Sequence, residues 1–139
     1  MNKVLVPDCG EQKLLSMALK FDTPPSLTMR LFVNNITPSS ADTTAVYTEM
    51  STQGYAAKSI SRADWNIVST GGKAIAENIE KIFSFDGTGG RTPVYGYFIT
   101  TDDDNTLLAV YQFDDPFIAQ TAGSQVKPIP SLTLESVWP

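Results

Sequence analysis

The acidic side chains are the first place to look for chemistry in this chain, which carries 15 Asp and Glu, one Cys and no His. Two carboxyl groups held beside an apolar pocket can hydrolyse a glycosidic bond, one as the acid and the other as base or nucleophile. Glu77 with Glu80 and Asp114 with Asp115 are the pairs close enough in sequence to consider. Each sits beside a loop, where neighbouring acids ordinarily form solvated surface, and surface is the simpler reading. With no histidine, neither a Ser-His-Asp nor a Cys-His relay can be assembled. Cys9 stands near a helix start without a base to activate it, so it reads as a packed or incidental thiol.

Two further clusters invite a ligand. Asp102, Asp103, Asp104 and Asn105 bring several oxygens together, as calcium requires, but calcium loops place ligands at alternate positions with glycine at the sixth, and this run does neither. A turn whose Asp and Asn side chains bond their own backbone explains it better. Gly87-Thr-Gly-Gly-Arg resembles a phosphate-binding loop only in its glycines. The Lys-Ser/Thr ending that opens a helix is missing, and Arg91-Thr92-Pro93 leads into a strand. The segment is therefore expected to be a turn between strands. No catalytic, cofactor or metal-ligating residues are assigned.

Composition narrows the remaining classes. A 139-residue chain forms one domain, and on folding buries roughly 65–70% of its extended surface. Hydrophobic residues at 42% and charged residues at 18% suit a folded domain whose surface is rich in Thr, Ser, Asn and Gln. A net charge of −5 with Lys and Arg scattered singly leaves no cationic patch for phosphates, so no nucleic-acid partner is expected. A single cysteine excludes an internal disulfide framework. The start lacks a signal-like apolar stretch and nothing approaches the roughly 18 apolar residues of a membrane span, so a soluble protein made in a cytoplasm, with no membrane partner, is expected.

The pattern of apolar residues calls for strands. Val94–Thr100 and Leu107–Phe113 are two β-rich runs around the polar cluster Thr101–Thr106, a hairpin. Leu27, Met29, Leu31 and Val33 alternate with Thr28 and Arg30, the pattern of a half-buried strand. Short strands are also expected at Ala45–Met50, Tyr55–Ile60, Trp65–Val68, Phe117–Gln120 and Ser131–Val137, with Asp114-Asp115-Pro116 as a break. Ala74–Phe85 reads either as a helix with Ile75, Ile79, Ile82 and Phe83 on one face or as a strand, and alternation ending in a turn favours a strand for Ile79–Phe85. Ahead of them, Leu14, Leu15, Ala18 and Phe21 lie on one stripe of a helix over Glu11–Phe21, which Asp8 is placed to cap and Pro24-Pro25 to end. The expected fold is mainly β, an antiparallel β-sandwich or barrel-like domain over 27–139, behind an N-terminal arm and short helix at 1–26.

The aromatic residues of the hairpin raise the question of partners. Strict alternation places Tyr95, Tyr97 and Ile99 on one face and Val94 and Phe98 on the other, leaving both faces apolar. One face builds the core, and the second needs cover from a helix, another sheet or another chain. Tyr95 and Tyr97 are therefore candidate interface residues. Val137 and Trp138 join them, since an indole at the penultimate position needs something to pack on. The segments before Asp8 and after Pro130 are candidate arms for pairing with a neighbour's sheet edge.

The order of segments Leu-Thr-Met-Arg-Leu-Phe-Val-Asn-Asn-Ile-Thr-Pro (27–38), Tyr-Thr-Glu-Met (47–50), Gly-Tyr-Ala-Ala-Lys-Ser (54–59), Trp65, Val-Tyr-Gly-Tyr-Phe-Ile-Thr (94–100), Leu-Leu-Ala-Val-Tyr-Gln-Phe (107–113) and Leu-Thr-Leu (132–134) resembles small virion structural proteins of tailed bacteriophages. The resemblance implies a β-rich particle protein without catalytic residues. The reading it supports first is a capsid decoration, or cement, protein on the virion surface that bridges major capsid protein subunits and forms homo-oligomers. The alternative is a tail or tail-fibre module that binds a neighbouring tail protein or a host-surface glycan, stacking sugars on Tyr55, Trp65 or Tyr111.

Overall fold

Nine strands, one α-helix and two short 3-10 turns appear in a computed structural model that describes residues 4–20 and 23–135. The helix α1 spans Asp8–Leu19, and the strands are β1 Leu27–Phe32, β2 Lys58–Ile60, β3 Asn66–Thr70, β4 Lys73–Glu77, β5 Phe83–Ser84, β6 Thr92–Thr101, β7 Leu107–Ala119, β8 Gln125–Val126 and β9 Ser131–Glu135. The fold is mainly β and sandwich-like, with all strand pairs antiparallel and one N-terminal helix. A four-stranded sheet in the order β2-β1-β6-β7 forms its centre, joined by a three-stranded sheet β3-β4-β9 and the short pair β5-β8. No helix among the described residues is long and apolar enough to cross a membrane.

The central sheet is apolar on both faces because β1 and β6 bury residues of both parities. Leu27, Met29 and Leu31 pack on one side with Tyr97, Ile99, Phe83 and Phe85. Phe32 and Phe98 pack on the other with Tyr47, Leu107 and Val110. The second side is covered from within the chain, by Leu5, Cys9, Ile36 and Val46. Its aromatic groups meet edge to face or stacked, Phe32 on Tyr47 at 4.9 Å and Tyr47 on Phe98 at 5.6 Å between ring centroids, separations at which rings attract. This internal cover answers the need that two apolar hairpin faces create.

Two bulges decide which residues reach which face. Val94 pairs with Phe117 but Gly96 pairs with Gln112, so β7 carries Phe113–Pro116 opposite Tyr95 alone. The strand does not end at Asp114-Asp115-Pro116 as expected. It bows outward there, which exposes both acids and a proline that has no N–H to give the ladder, and resumes pairing at Phe117. The bulge also overturns the alternation on β6: Val94 shares a side with Tyr97 and Ile99, whereas Tyr95 packs with Phe98. At its centre only glycine fits. A Cβ on Gly96 would lie 2.7 Å from the Phe32 ring and closer still to the Tyr111 carbonyl oxygen.

Other local expectations shift for similar reasons. The Ala45–Met50 segment forms a 3-10 turn, Thr44–Val46, and then a single bridge from Glu49 to Phe32 instead of a strand. Its backbone serves β1: beyond the end of β2, Met50 N–H donates to Leu31 O at 3.0 Å, and Val33 N–H to Thr48 O at 2.9 Å. Strand structure between 74 and 85 lies mainly in its first half, in β4, while only Phe83–Ser84 of the expected Ile79–Phe85 strand is regular. The helix begins at Asp8, with Pro7 in the capping position and no side-chain cap. Its inward stripe is Gly10, Leu14 and Met17, not Leu14, Leu15 and Ala18, and Leu15 is 62% exposed. Phe21 lies outside the described residues.

Candidate interaction surface

The three-stranded sheet separates two open hollows, and its register determines what each receives. Ile67 pairs with Ala76 and Ala76 with Leu132, while Ala74 pairs with Leu134, so these residues share one face. They form one wall of an apolar groove of about 450 Å³ whose opposite wall is Leu14 and Met17 of α1, with Trp65 and Leu108 between. On the groove's rim Ile67 is 71% exposed and Leu134 52% exposed. Large apolar side chains left in water cost free energy that a partner would recover, roughly 25 cal/mol for each Å² covered.

Val68, Ile75 and Thr133 line up on the opposite face of the sheet, with Lys73 and Glu77 flanking them. This side borders a second hollow, of about 510 Å³, that also receives Tyr97, Tyr111, Phe113 and Ile129. Tyr97 is only 2% exposed, and its hydroxyl donates to the Ile129 carbonyl at 3.3 Å. Burial is the main reason its phenol is pushed up to about 12.

The polar clusters hold the structure together. At the hairpin tip Lys13 Nζ reaches Asp103 Oδ2 at 2.7 Å and Asp104 Oδ2 at 3.0 Å, tying α1 to the β6–β7 turn. Asp104 Oδ1 also accepts from the hydroxyls of Thr101 and Thr106. The Lys13 ammonium holds the Asp103 carboxyl below the usual carboxylate range, and the Thr106 hydroxyl followed by Lys13 does the same for Asp104. This is the self-bonded acidic turn expected from the residue types, with a cation added from the helix. Beside β1, Arg30 Nη1 lies 3.1 Å from both Glu49 carboxylate oxygens, and Tyr55 Oη donates to Glu49 Oε2 at 2.6 Å. The same Tyr55 oxygen accepts the Leu31 N–H at 3.2 Å. Cys9 Sγ lies 3.4 Å from the Leu107 carbonyl and 3.5 Å from that of Asp42, the contacts of a packed thiol.

The carboxylate pairs stay on the surface: Glu77 ends β4, Glu80 lies in the irregular segment after it, and Asp114 and Asp115 crown the β7 bulge, all four exposed. Among the described residues no three His, Cys, Asp or Glu side chains gather as a metal site. Of the candidate interface residues, Tyr97 belongs to the chain's own core and Tyr95 is half-buried against the Phe98 side, so the two do not form one surface. Val137 and Trp138 lie outside the described residues. Both candidate arms are used within the chain where they are described, since Leu5 bridges Val110 and Ser131–Glu135 pairs with β4.

Sequence reasoning did not anticipate the groove. Its apolar residues come from α1, β3, β4 and β9, and only the strand pairing brings them to one place. Comparison with protein-family models, curated proteins and solved structures finds no match to this chain.

Proposed function

We propose that this chain is a non-enzymatic structural protein of a tailed-phage particle, a decoration protein that docks on the shell and ties neighbouring major capsid subunits together. The phage assignment rests on the ordered segments between Leu27 and Leu134. The observation that carries the docking role is the open apolar groove between α1 and β3-β4-β9, with Ile67 and Leu134 standing exposed on its rim. A groove of this kind fits a hydrophobic segment of a partner. A small contact repeated over a symmetric shell stabilises it through many linked copies, because each copy that bridges two subunits binds its second site at high effective concentration.

Internal engagement of the aromatic residues supports this reading over a glycan-binding fibre module. Tyr55 stacks on Phe83 at 5.9 Å and donates to Glu49, Trp65 packs against the core, and Tyr111 lies against Tyr97 and Phe113. Each of the three is thus engaged at least in part by the chain's own side chains.

The test mixes purified protein with phage shells that lack it, and follows co-sedimentation and shell melting temperature. Saturable binding with a raised melting temperature is expected, and Ile67→Asp or Leu134→Asp should abolish both while the protein stays folded. Absence of binding to intact shells, with binding to tails or host cells instead, would overturn the decoration role.

A further inference from the structure

The outer edge of β3 has hydrogen-bonding groups with no partner among the described residues. The β3–β4 hairpin turns on Gly71-Gly72, whose φ values of 57° and 78° are those of the tight two-residue turns that join antiparallel strands. Thr70 and Lys73 flank such a turn as a hydrogen-bonded pair, so Val68 and Asn66 also direct their backbone groups toward β4. Ile67 and Ser69 direct theirs outward. β3 ends its sheet, and all five of its residues are exposed.

Nothing in the strand guards this edge. Folded proteins blunt free edges with charges, prolines or bulges, whereas Asn-Ile-Val-Ser-Thr has neither charge nor proline, and its pairing to β4 runs without a bulge. We propose that β3 is a self-association edge, pairing antiparallel with β3 of a second copy about a two-fold axis at Val68. In this register Ile67 and Ser69 of each copy exchange hydrogen bonds with Ser69 and Ile67 of the other, so both outward residues are satisfied on both chains. Val68 meets its own copy as the close, non-hydrogen-bonded pair, in which side chains touch. The two three-stranded sheets become one six-stranded sheet. A second copy fits because the strand is self-complementary about Val68, each copy supplying the donors and acceptors that the other's outward residues need, and β3 carries no charge to repel its own copy. The charged Lys73 and Glu77 of β4 are kept from their copies by the two intervening β3 strands.

A strand pair alone is a small interface, so the dimer should be weak and grow with concentration. Sedimentation velocity over a wide concentration range should show a reversible monomer–dimer equilibrium for the free protein. Ser69→Pro deletes an outward N–H and leaves the β3–β4 ladder intact. Removing that donor from both copies should weaken the dimer by about tenfold or more. Val68→Lys places two cations at the axis and should do the same. Val68→Cys gives the positive arm: the non-hydrogen-bonded pair sets Cα atoms about 4.5 Å apart, inside the roughly 4.4–6.8 Å that a disulfide spans. An added oxidant should therefore link two copies of this variant through the introduced thiols, while wild type, carrying Cys9 alone, stays unlinked. Circular dichroism identifies any variant that fails to fold, and the other two then decide. A monomer at every concentration, or a dimer that resists both Ser69→Pro and Val68→Lys, would overturn the proposal. The readout uses free protein without shells, so it stands or falls separately from the decoration role.

Discussion

Gly10 of α1 lies directly on the backbone of β7: a Cβ placed there would stand 2.5 Å from the Leu108 carbonyl oxygen and 2.9 Å from that of Leu107. This contact sets the rotation of the helix and turns Leu14 and Met17, one and two turns further on, toward the core. It also shields part of the edge of β7, which Leu5 caps with two backbone hydrogen bonds to Val110 at 2.8 and 2.9 Å. Backbone does not yield as a flexible side chain does. Gly10→Ala should therefore lower stability by about 1–3 kcal/mol despite alanine's better helix propensity, as measured by denaturant unfolding.

Tyr55 supplies an acceptor that the sheet cannot. Where β2 has ended, the N–H of fully buried Leu31 donates to the Tyr55 hydroxyl, which in turn donates to Glu49. Tyr55→Phe keeps the stacking on Phe83 but strips Leu31 of its acceptor, so it should cost about 1–3 kcal/mol in thermal or denaturant unfolding. The loss should exceed that of Glu49→Gln, which keeps an oxygen in place.

The Lys13 contact predicts behaviour in acid. Asp103 and Asp104 have folded-state pKa values below the ordinary carboxylate range. Their contribution is thus fully present above about pH 4 and disappears as pH falls through that range toward the folded values. Melting temperature should decline on acidification below about pH 4. Lys13→Met retains the aliphatic stem and removes the cation, so it should flatten that decline. Because the carboxylates are 36% and 57% exposed, added salt should also reduce it.

The tyrosines predict the alkaline limit. Tyr47, Tyr55 and Tyr97 all have raised pKa values, burial being the largest cause in each, with Asp42 and Glu49 accepting from the first two. An acid whose folded pKa lies above its unfolded value of about 10 stabilises the fold below pH 10 and loses that contribution as pH rises beyond it. Phenolate absorbance from these three should therefore emerge together with loss of near-ultraviolet circular dichroism. Gradual ionisation of all three in a protein that remains folded would contradict their burial.

Much of the architecture was legible residue by residue. The alternation of Leu27, Met29 and Leu31 became the central strand, and the β-rich runs on either side of Thr101–Thr106 became the β6–β7 hairpin. The acidic turn behaved as its residue types required, with Asp104 N–H donating to Asp103 Oδ1 at 2.8 Å. Errors collected where a period was broken. Strict alternation put Tyr95 beside Tyr97, and a bulge at Asp114-Asp115-Pro116 separated them. Periodicity put Leu15 and Ala18 beside Leu14 on the inner face of the helix, and the close seat of Gly10 on β7 kept Leu14 there and turned Met17 inward in place of the other two.

By itself the amino-acid sequence determined the class of fold, because apolar alternation and turn chemistry act over a few neighbouring residues and are written wherever those residues stand. It also determined which catalytic relays cannot be built, since a chain without histidine lacks their base. Only the tertiary structure decided that the second face of the central sheet is covered by the chain's own Leu5, Ile36 and Val46, and that the apolar groove lies between α1 and β9. It alone left β3 at an open edge. These features arise from residues far apart in the chain, and strand register, bulge position and helix rotation, each fixed by long-range packing, determine which of them meet.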